Sequence, residues 1–255
     1  MKSERITFVN LHGARLGARI DFPEETEASH FALFAHCFTC TKNLKTIGNI
    51  NKALTGQGIA VLRFDFTGLG ESEGDFAETN FTTNVDDLRA ASEFLETEYR
   101  GPRILIGHSL GGAAVLQAAS SIPSSVAVAT IAAPSEPSHI NKLLGENVKR
   151  IIEEGEAQIS IAGKSFIIKK QFVQDLEQTR MEEKIQNLNK ALVVFHSPAD
   201  SVVGIDNAAH IFQNARHPKS FISLDKADHL LLDKNDAEYV GNLIGIWAKR
   251  YLEKW

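Results

Sequence analysis

One segment constrains this chain more than any other: Ile104-Leu105-Ile106-Gly107-His108-Ser109-Leu110-Gly111-Gly112. The apolar run reads as a strand buried on both faces, and the Ala-rich stretch after Gly112 reads as a helix. Ser109 is therefore expected on a strand-to-helix turn inside a G-x-S-x-G pattern. The glycines have a steric purpose, since bulky residues at 107 and 111 would clash around so tight a turn. The helix start below the serine offers free N–H groups and the positive end of its dipole, both suited to a developing oxyanion. The pattern also arises by chance in flexible loops, but without the flanking strand and helix. Ser109 is the predicted nucleophile.

The rest of the chain supplies a matching framework. Arg5–Asn10 and Arg15–Phe22 read as an antiparallel edge hairpin around Leu11-His12-Gly13-Ala14. Strands are expected at Phe31–Ala35, Ile59–Phe66, Arg103–Gly107, Val126–Ala133, Leu192–His196 and Ser220–Asp225. Helical periodicity occupies Leu44–Leu54, Asn84–Tyr99, Gly112–Ser120, Asp206–Asn214 and Asp236–Leu252. Strands alternating with helices imply an α/β fold, with a mostly parallel sheet covered on both faces.

Residues 135–188 break that rhythm, being several times longer than the dozen or so residues a crossover needs. Within them Gln158–Ile161 and Ser165–Lys169 flank Ala162-Gly163-Lys164 as a small hairpin. The expected organisation is a core of 1–134 and 189–255, interrupted by a cap or lid; a decorative surface excursion is the alternative. Phe166, Ile168, Phe172, Val173 and Met181 are either acyl-pocket walls or simply core.

A serine hydroxyl needs a base to take its proton, and the base needs an orienting partner. For this turn the chain order is Ser, acid, His. The strand 191–196 is followed by Ser197-Pro198-Ala199-Asp200, which selects Asp200; Asp206 reads better as the N-cap of the next helix. His229 lies in the loop before the last helix, where the base belongs, and the adjacent Asp228 reads as a loop hydrogen-bonder. His12, His30, His139, His210 and His217 fall in turns, surface helices or the insertion. His196 lies upstream of the acid's loop, and His108 neighbours the nucleophile but is expected to project differently from the turn.

The second oxyanion donor should come from Ala35-His36-Cys37-Phe38-Thr39-Cys40, so the amides of Phe38 and Leu110 are the expected hole, with His36 bracing the loop. Cys37 and Cys40 also form C-x-x-C. Loop packing, a redox-sensitive modulator and a metal half-site are the readings of that pair, and no second Cys pair supports metal. Asp65-Phe66-Thr67-Gly68-Leu69-Gly70-Glu71-Ser72 lacks a Walker lysine and reads as a tight turn at the site's rim, with Asp65 bonding backbone or neighbours.

Composition excludes much else. Of 255 residues, 43% are hydrophobic and 23% charged, enough for a sizeable core, and the net charge of −5 lacks a nucleic-acid footprint. Two cysteines are too few for a disulfide framework. The charged start Met1-Lys2-Ser3-Glu4-Arg5 carries no signal-peptide pattern, no apolar run suffices for a membrane span, and Glu253-Lys254-Trp255 carries no lipidation signal. Asn80-Phe81-Thr82 matches the glycosylation pattern by chance. A cytoplasmic location is the default expectation.

The segments Gly107–Gly112, Asp65–Ser72, Ser197–Asp200 and Ala227-Asp228-His229 resemble α/β-hydrolases of the serine-aminopeptidase-like and monoglyceride-lipase-like group. His36–Cys40 and His217-Pro218-Lys219-Ser220 are more closely similar to bacterial hydrolase domains found fused to an OsmC-like domain. The resemblance covers nearly the whole chain. It implies an eight-stranded α/β-hydrolase fold and a Ser109–His229–Asp200 triad, with Phe38 and Leu110 as oxyanion donors. The group's usual His-Gly is His36-Cys37 here, which restricts that turn. The resulting expectation is a cofactor-free esterase with no metal, acting on small to medium acyl esters as small-molecule partners, with a homodimer left open. Peptidase or thioesterase chemistry on the same triad, or a redox-responsive accessory role for Cys37/Cys40, are the alternatives.

Overall fold

The strands nearest the middle of the sheet carry apolar side chains because both their faces are covered. In the computed structural model, which describes residues 1–253, an eight-stranded sheet has the order β1-β2-β4-β3-β5-β6-β9-β10. Lys254 and Trp255, part of the ending read for a lipidation signal, lie outside the described residues.

β1 (Lys2–Val9) and β2 (Arg15–Phe22) form an antiparallel hairpin at one edge, and β2 pairs antiparallel with β4 (Ile59–Phe64). The remaining strands run parallel: β3 (His30–Ala35), β5 (Ile104–His108), β6 (Ala127–Ile131), β9 (Ala191–His196) and β10 (Lys219–Ser223). Two cores separate the layers. On one face α1 (Lys45–Thr55) and α9 (Lys234–Leu252) pack on Phe34, Val61, Ile106 and Val193. On the other, α2 (Phe81–Glu98), α3 (Leu110–Ala118) and α8 (Asp206–Asn214) cover Leu33, Leu62, Leu105 and Leu192.

Between β6 and β9 the chain forms α4 (Ile140–Leu144), α5 (Asn147–Glu154), the hairpin β7 (Glu156–Ile161) and β8 (Lys164–Lys169), α6 (Lys170–Gln178) and α7 (Glu182–Gln186). Its apolar residues Ile151, Ile168, Phe172, Val173 and Met181 belong to the same core as α2 and α3. Polar clamps add to this: Gln171 Nε2 donates to the Thr79 carbonyl at 2.8 Å, and Asp175 accepts from the Thr82 amide at 2.8 Å. The segment is therefore fastened to the sheet domain along its length.

Element ends differ from the sequence expectation where caps decide them. α2 begins at Phe81, not 84, because Asn80 and Thr83 form a reciprocal capping box. α9 begins at Lys234 because Asp233 accepts from the Asn235 amide at 2.7 Å. Asp206 is not the N-cap expected of it: Ile205 is, and Asp206 opens the first turn, where its charge faces the positive end of the helix. Among the described residues no helix is long and apolar enough to cross a membrane.

Candidate active site

Ser109 sits between β5 and α3 with φ +54° and ψ −125°, a conformation L-residues avoid. Packing around the turn enforces it. The Ser109 amide donates to the Ile131 carbonyl of β6 at 2.8 Å. A Cβ at Gly107 would lie 2.2 Å from the Gly111 carbonyl oxygen, and one at Gly111 would lie 2.4 Å from that of Ala35. Both glycines are needed for close approach, and Gly111 lets the start of α3 abut the backbone of the 35–38 loop.

Three distant residues converge there. His229 Nε2 is 3.0 Å from Ser109 Oγ, and its Nδ1 is 2.8 Å from Asp200 Oδ2. An ionised Asp200 accepts, so Nδ1 carries the proton and Nε2 is left to accept from the serine hydroxyl. Burial acts to raise the Asp200 carboxyl, but hydrogen bonds from His229 and the Val203 and Val202 amides outweigh it and hold the group below the usual carboxylate range. Asp228 accepts instead from the amides of Leu230 and Leu232, at 2.8 and 3.1 Å.

Two histidines set aside from the sequence lie against this trio. His108 reaches towards the base: its Nε2 donates to the His229 carbonyl at 2.7 Å, with the rings 5.3 Å apart. Burial, then the nearby His229, pushes its pKa down to about 4, so at neutral pH it is an uncharged donor. His196 donates through Nε2 to the Val203 carbonyl at 2.7 Å, beneath the loop that presents Asp200, and burial also lowers its pKa.

The facing loop is braced from both ends. His36 Nδ1 donates to the Cys37 carbonyl at 2.8 Å, and Nε2 faces the Phe66 amide at 3.4 Å. Burial lowers its pKa and favours this neutral form. At the other end Lys42, fully buried, pairs with buried Asp65 and with Glu71. Asp65 also accepts from the Lys42 and Glu71 amides, and Arg63 Nη1 donates to the Lys42 carbonyl at 2.6 Å. Asp65 was legible as a loop anchor, but nothing in the spacing of a single lysine marked Lys42.

The two cysteines, too few for a framework, nevertheless form a disulfide across Phe38 and Thr39. Cys37 avoids the left-handed region, and Thr39 at φ +58° takes the conformation a glycine would otherwise supply. Cys37, Phe38 and Thr39 share one cleft with Leu110, Gly111, Leu69, Phe76 and Ala114. Its inner volume is about 10 Å³, room for about one water. Among the described residues the Phe38 amide donates to no other group, and that of Leu110 opens α3, where an N–H has no intrahelical partner.

Phe166, Phe172 and Met181 are not among the residues lining that cleft. Phe172 and Met181 are buried; the Phe172 ring stands 5.4 Å behind that of Phe38, and Phe166 packs 5.0 Å from Phe76. Phe76 and Asn84, unmarked by motif, do line it. Among the described residues no cluster of His, Cys, Asp and Glu is arranged to hold a metal ion.

The fold has counterparts. The esterase domain of a Rhodothermus marinus protein is 50% identical, with a TM-score of 0.80 over 99% of this chain and 100% of that one. Est1E from Butyrivibrio proteoclasticus, solved with ferulic acid, shares the fold at 17% identity and a TM-score of 0.81, covering 98% of this chain and 100% of that one. The mitochondrial palmitoyl-protein thioesterase ABHD10 of Mus musculus is 28% identical over 70% of this chain and 62% of its own, so the chain spans less than two thirds of that relative. Residues 40–178, more than half the sequence, match the family described as serine aminopeptidase, S33. The chain belongs to that family of α/β-hydrolases.

Proposed function

We propose that the protein is a serine hydrolase of carboxylic esters, with Ser109 as nucleophile, His229 as general base and then acid, and Asp200 orienting the imidazole. The observation that carries this is the single imidazole bridging Ser109 Oγ and Asp200 Oδ2 at 3.0 and 2.8 Å. Oγ attacks the acyl carbon as His229 Nε2 takes its proton, and the Phe38 and Leu110 amides stabilise the oxyanion. Collapse expels the alcohol, which leaves with the proton from His229. Water then attacks the acyl-enzyme by the same route, releasing the acid and free serine.

The cleft beside Phe38 and Leu110 is the proposed acyl site, and short to medium acyl groups are the expected substrates. A thioester reading has separate support in the name of the mouse relative, a thioesterase, and the same tetrahedral chemistry serves it. Paired oxygen and thiol esters graded by acyl length, assayed with wild type and Ser109→Ala, test both. Ser109→Ala should lose about 10⁴-fold or more in turnover. Near-wild-type turnover in that variant overturns the reading, and the thioester-to-ester ratio in the wild type decides between the substrate classes.

A further inference from the structure

We propose that the Cys37–Cys40 disulfide is a thiol-exchange site, through which dithiols slow the enzyme by loosening the Phe38 amide. The proposal rests on the reading of Ser109 as nucleophile and Phe38 as oxyanion donor.

The bridge spans only the two residues Phe38 and Thr39. So short a loop restrains the unfolded chain little, so its effect falls on the local backbone more than on global stability. That backbone needs restraint. Thr39 is β-branched and left-handed at φ +58°, a conformation that persists only where its surroundings impose it. What imposes it here is the bridge together with two hydrogen bonds, from the Cys40 amide to the Cys37 carbonyl at 3.1 Å and from Thr39 Oγ1 to the Phe38 carbonyl at 2.7 Å. The Phe38 ring is held separately, against Phe172 and Phe76 at 5.4 and 5.9 Å. Opening the bridge therefore leaves the side chain seated and removes the covalent restraint on the peptide plane that aims the N–H, leaving that plane held only through its Cys37 carbonyl, by His36 Nδ1 at 2.8 Å and the Cys40 amide.

The two cysteines differ in exposure. Cys37 is 4% exposed, whereas Cys40 is half-buried. An incoming thiolate therefore attacks Cys40 Sγ, forming a mixed disulfide there and expelling Cys37 sulfur, which takes a proton. The second thiol of the reductant, as thiolate, then attacks its own sulfur in the mixed disulfide. It departs as a cyclic disulfide and leaves Cys40 as a thiol. Two electrons pass from dithiol to protein, and both cysteines end as thiols.

In the test, folded wild-type protein is treated with dithiothreitol and desalted, its thiols are counted with DTNB, and it is assayed on a short p-nitrophenyl ester. With two thiols exposed, kcat should fall about tenfold, short of the ~10²–10³-fold that losing a donor outright costs, with KM within about twofold. Reoxidation should restore it, and the thermal midpoint should shift by no more than a few degrees. Cys40→Ser should match the reduced protein and ignore dithiol. Two thiols with unchanged kcat overturn the proposal, as does a bridge that reacts only after denaturation, or a loss of activity that merely tracks unfolding. Fluorophosphonate labelling of oxidised wild type and Ser109→Ala separates the two readings. If the variant is labelled and active, the nucleophile assignment fails; if only the wild type is, a redox-insensitive kcat condemns the thiol-exchange proposal alone.

Discussion

The Nε2 of His108 lies 2.7 Å from the backbone carbonyl oxygen of His229, so the residue before Ser109 holds the backbone of the one that carries the imidazole. The bond joins positions 121 apart in sequence and ties the β5–α3 turn to the loop before α9. Its removal should cost turnover rather than binding. His108→Leu should lower kcat about tenfold with little change in KM, and His108→Gln, whose amide can still donate, should recover part of the loss. Steady-state kinetics on one ester compare the two; equal kcat in wild type and the leucine variant denies the clamp.

The same buried imidazole makes stability depend on pH. Its folded pKa of about 4 lies below the 6.5 of an open chain. Below 6.5 the unfolded chain takes up a proton that the folded one refuses, so stability present above 6.5 is lost as pH falls towards 4. His108→Gln abolishes that dependence, leaving the contributions of His30, His36 and His196, whose pKa values are also lowered. Between pH 7 and 4.5 the wild type should lose about 2 kcal/mol more than the variant in urea unfolding. Parallel losses would contradict the linkage.

Gly111 controls the distance between α3 and the facing loop. A methyl there would sit 2.4 and 2.5 Å from the carbonyl oxygens of Ala35 and His36, both backbone atoms. Gly111→Ala must push the loop from the helix, separating the Phe38 and Leu110 amides. A fall in kcat of about 10²-fold or more is expected, with circular dichroism retained. A fully active variant shows that the two amides do not act as a pair.

Lys42 and Asp65 form a charge pair with no side-chain exposure. Lys42→Met leaves the carboxylate buried with its amide donors but no cation, and should destabilise by about 3–5 kcal/mol. Lys42→Met with Asp65→Asn should regain much of this, because neither charge is then stranded. Chemical unfolding of wild type, single and double variants forms the cycle, and additive losses deny the coupling.

Much of the site was readable because its parts are local. The run 104–112 carries its own strand, turn and helix start, so Ser109 follows from short-range sterics. Asp200 and His229 could be named by chain order, each lying just past a strand of the sheet. The hairpin 156–169 likewise announced itself through alternation and a central glycine.

The disulfide, the buried Lys42 and the inward turn of His108 were not readable in this way. C-x-x-C fixes a spacing that also serves metal and free-thiol sites, and Lys42 resembles any surface lysine until Asp65, 23 positions on, is folded beside it. The sequence alone determined the strand–helix alternation, the strained serine turn and the placing of Asp200 and His229 just past strands of the sheet, since these depend on backbone sterics and periodicity within a few residues. Only the tertiary structure decided which remote groups complete them: the His108 donor under His229, the Lys42 charge under Asp65, and Phe172 as backing for Phe38. Desolvation and hydrogen-bond direction determine those roles, and both arise only when segments far apart in the chain exclude water together.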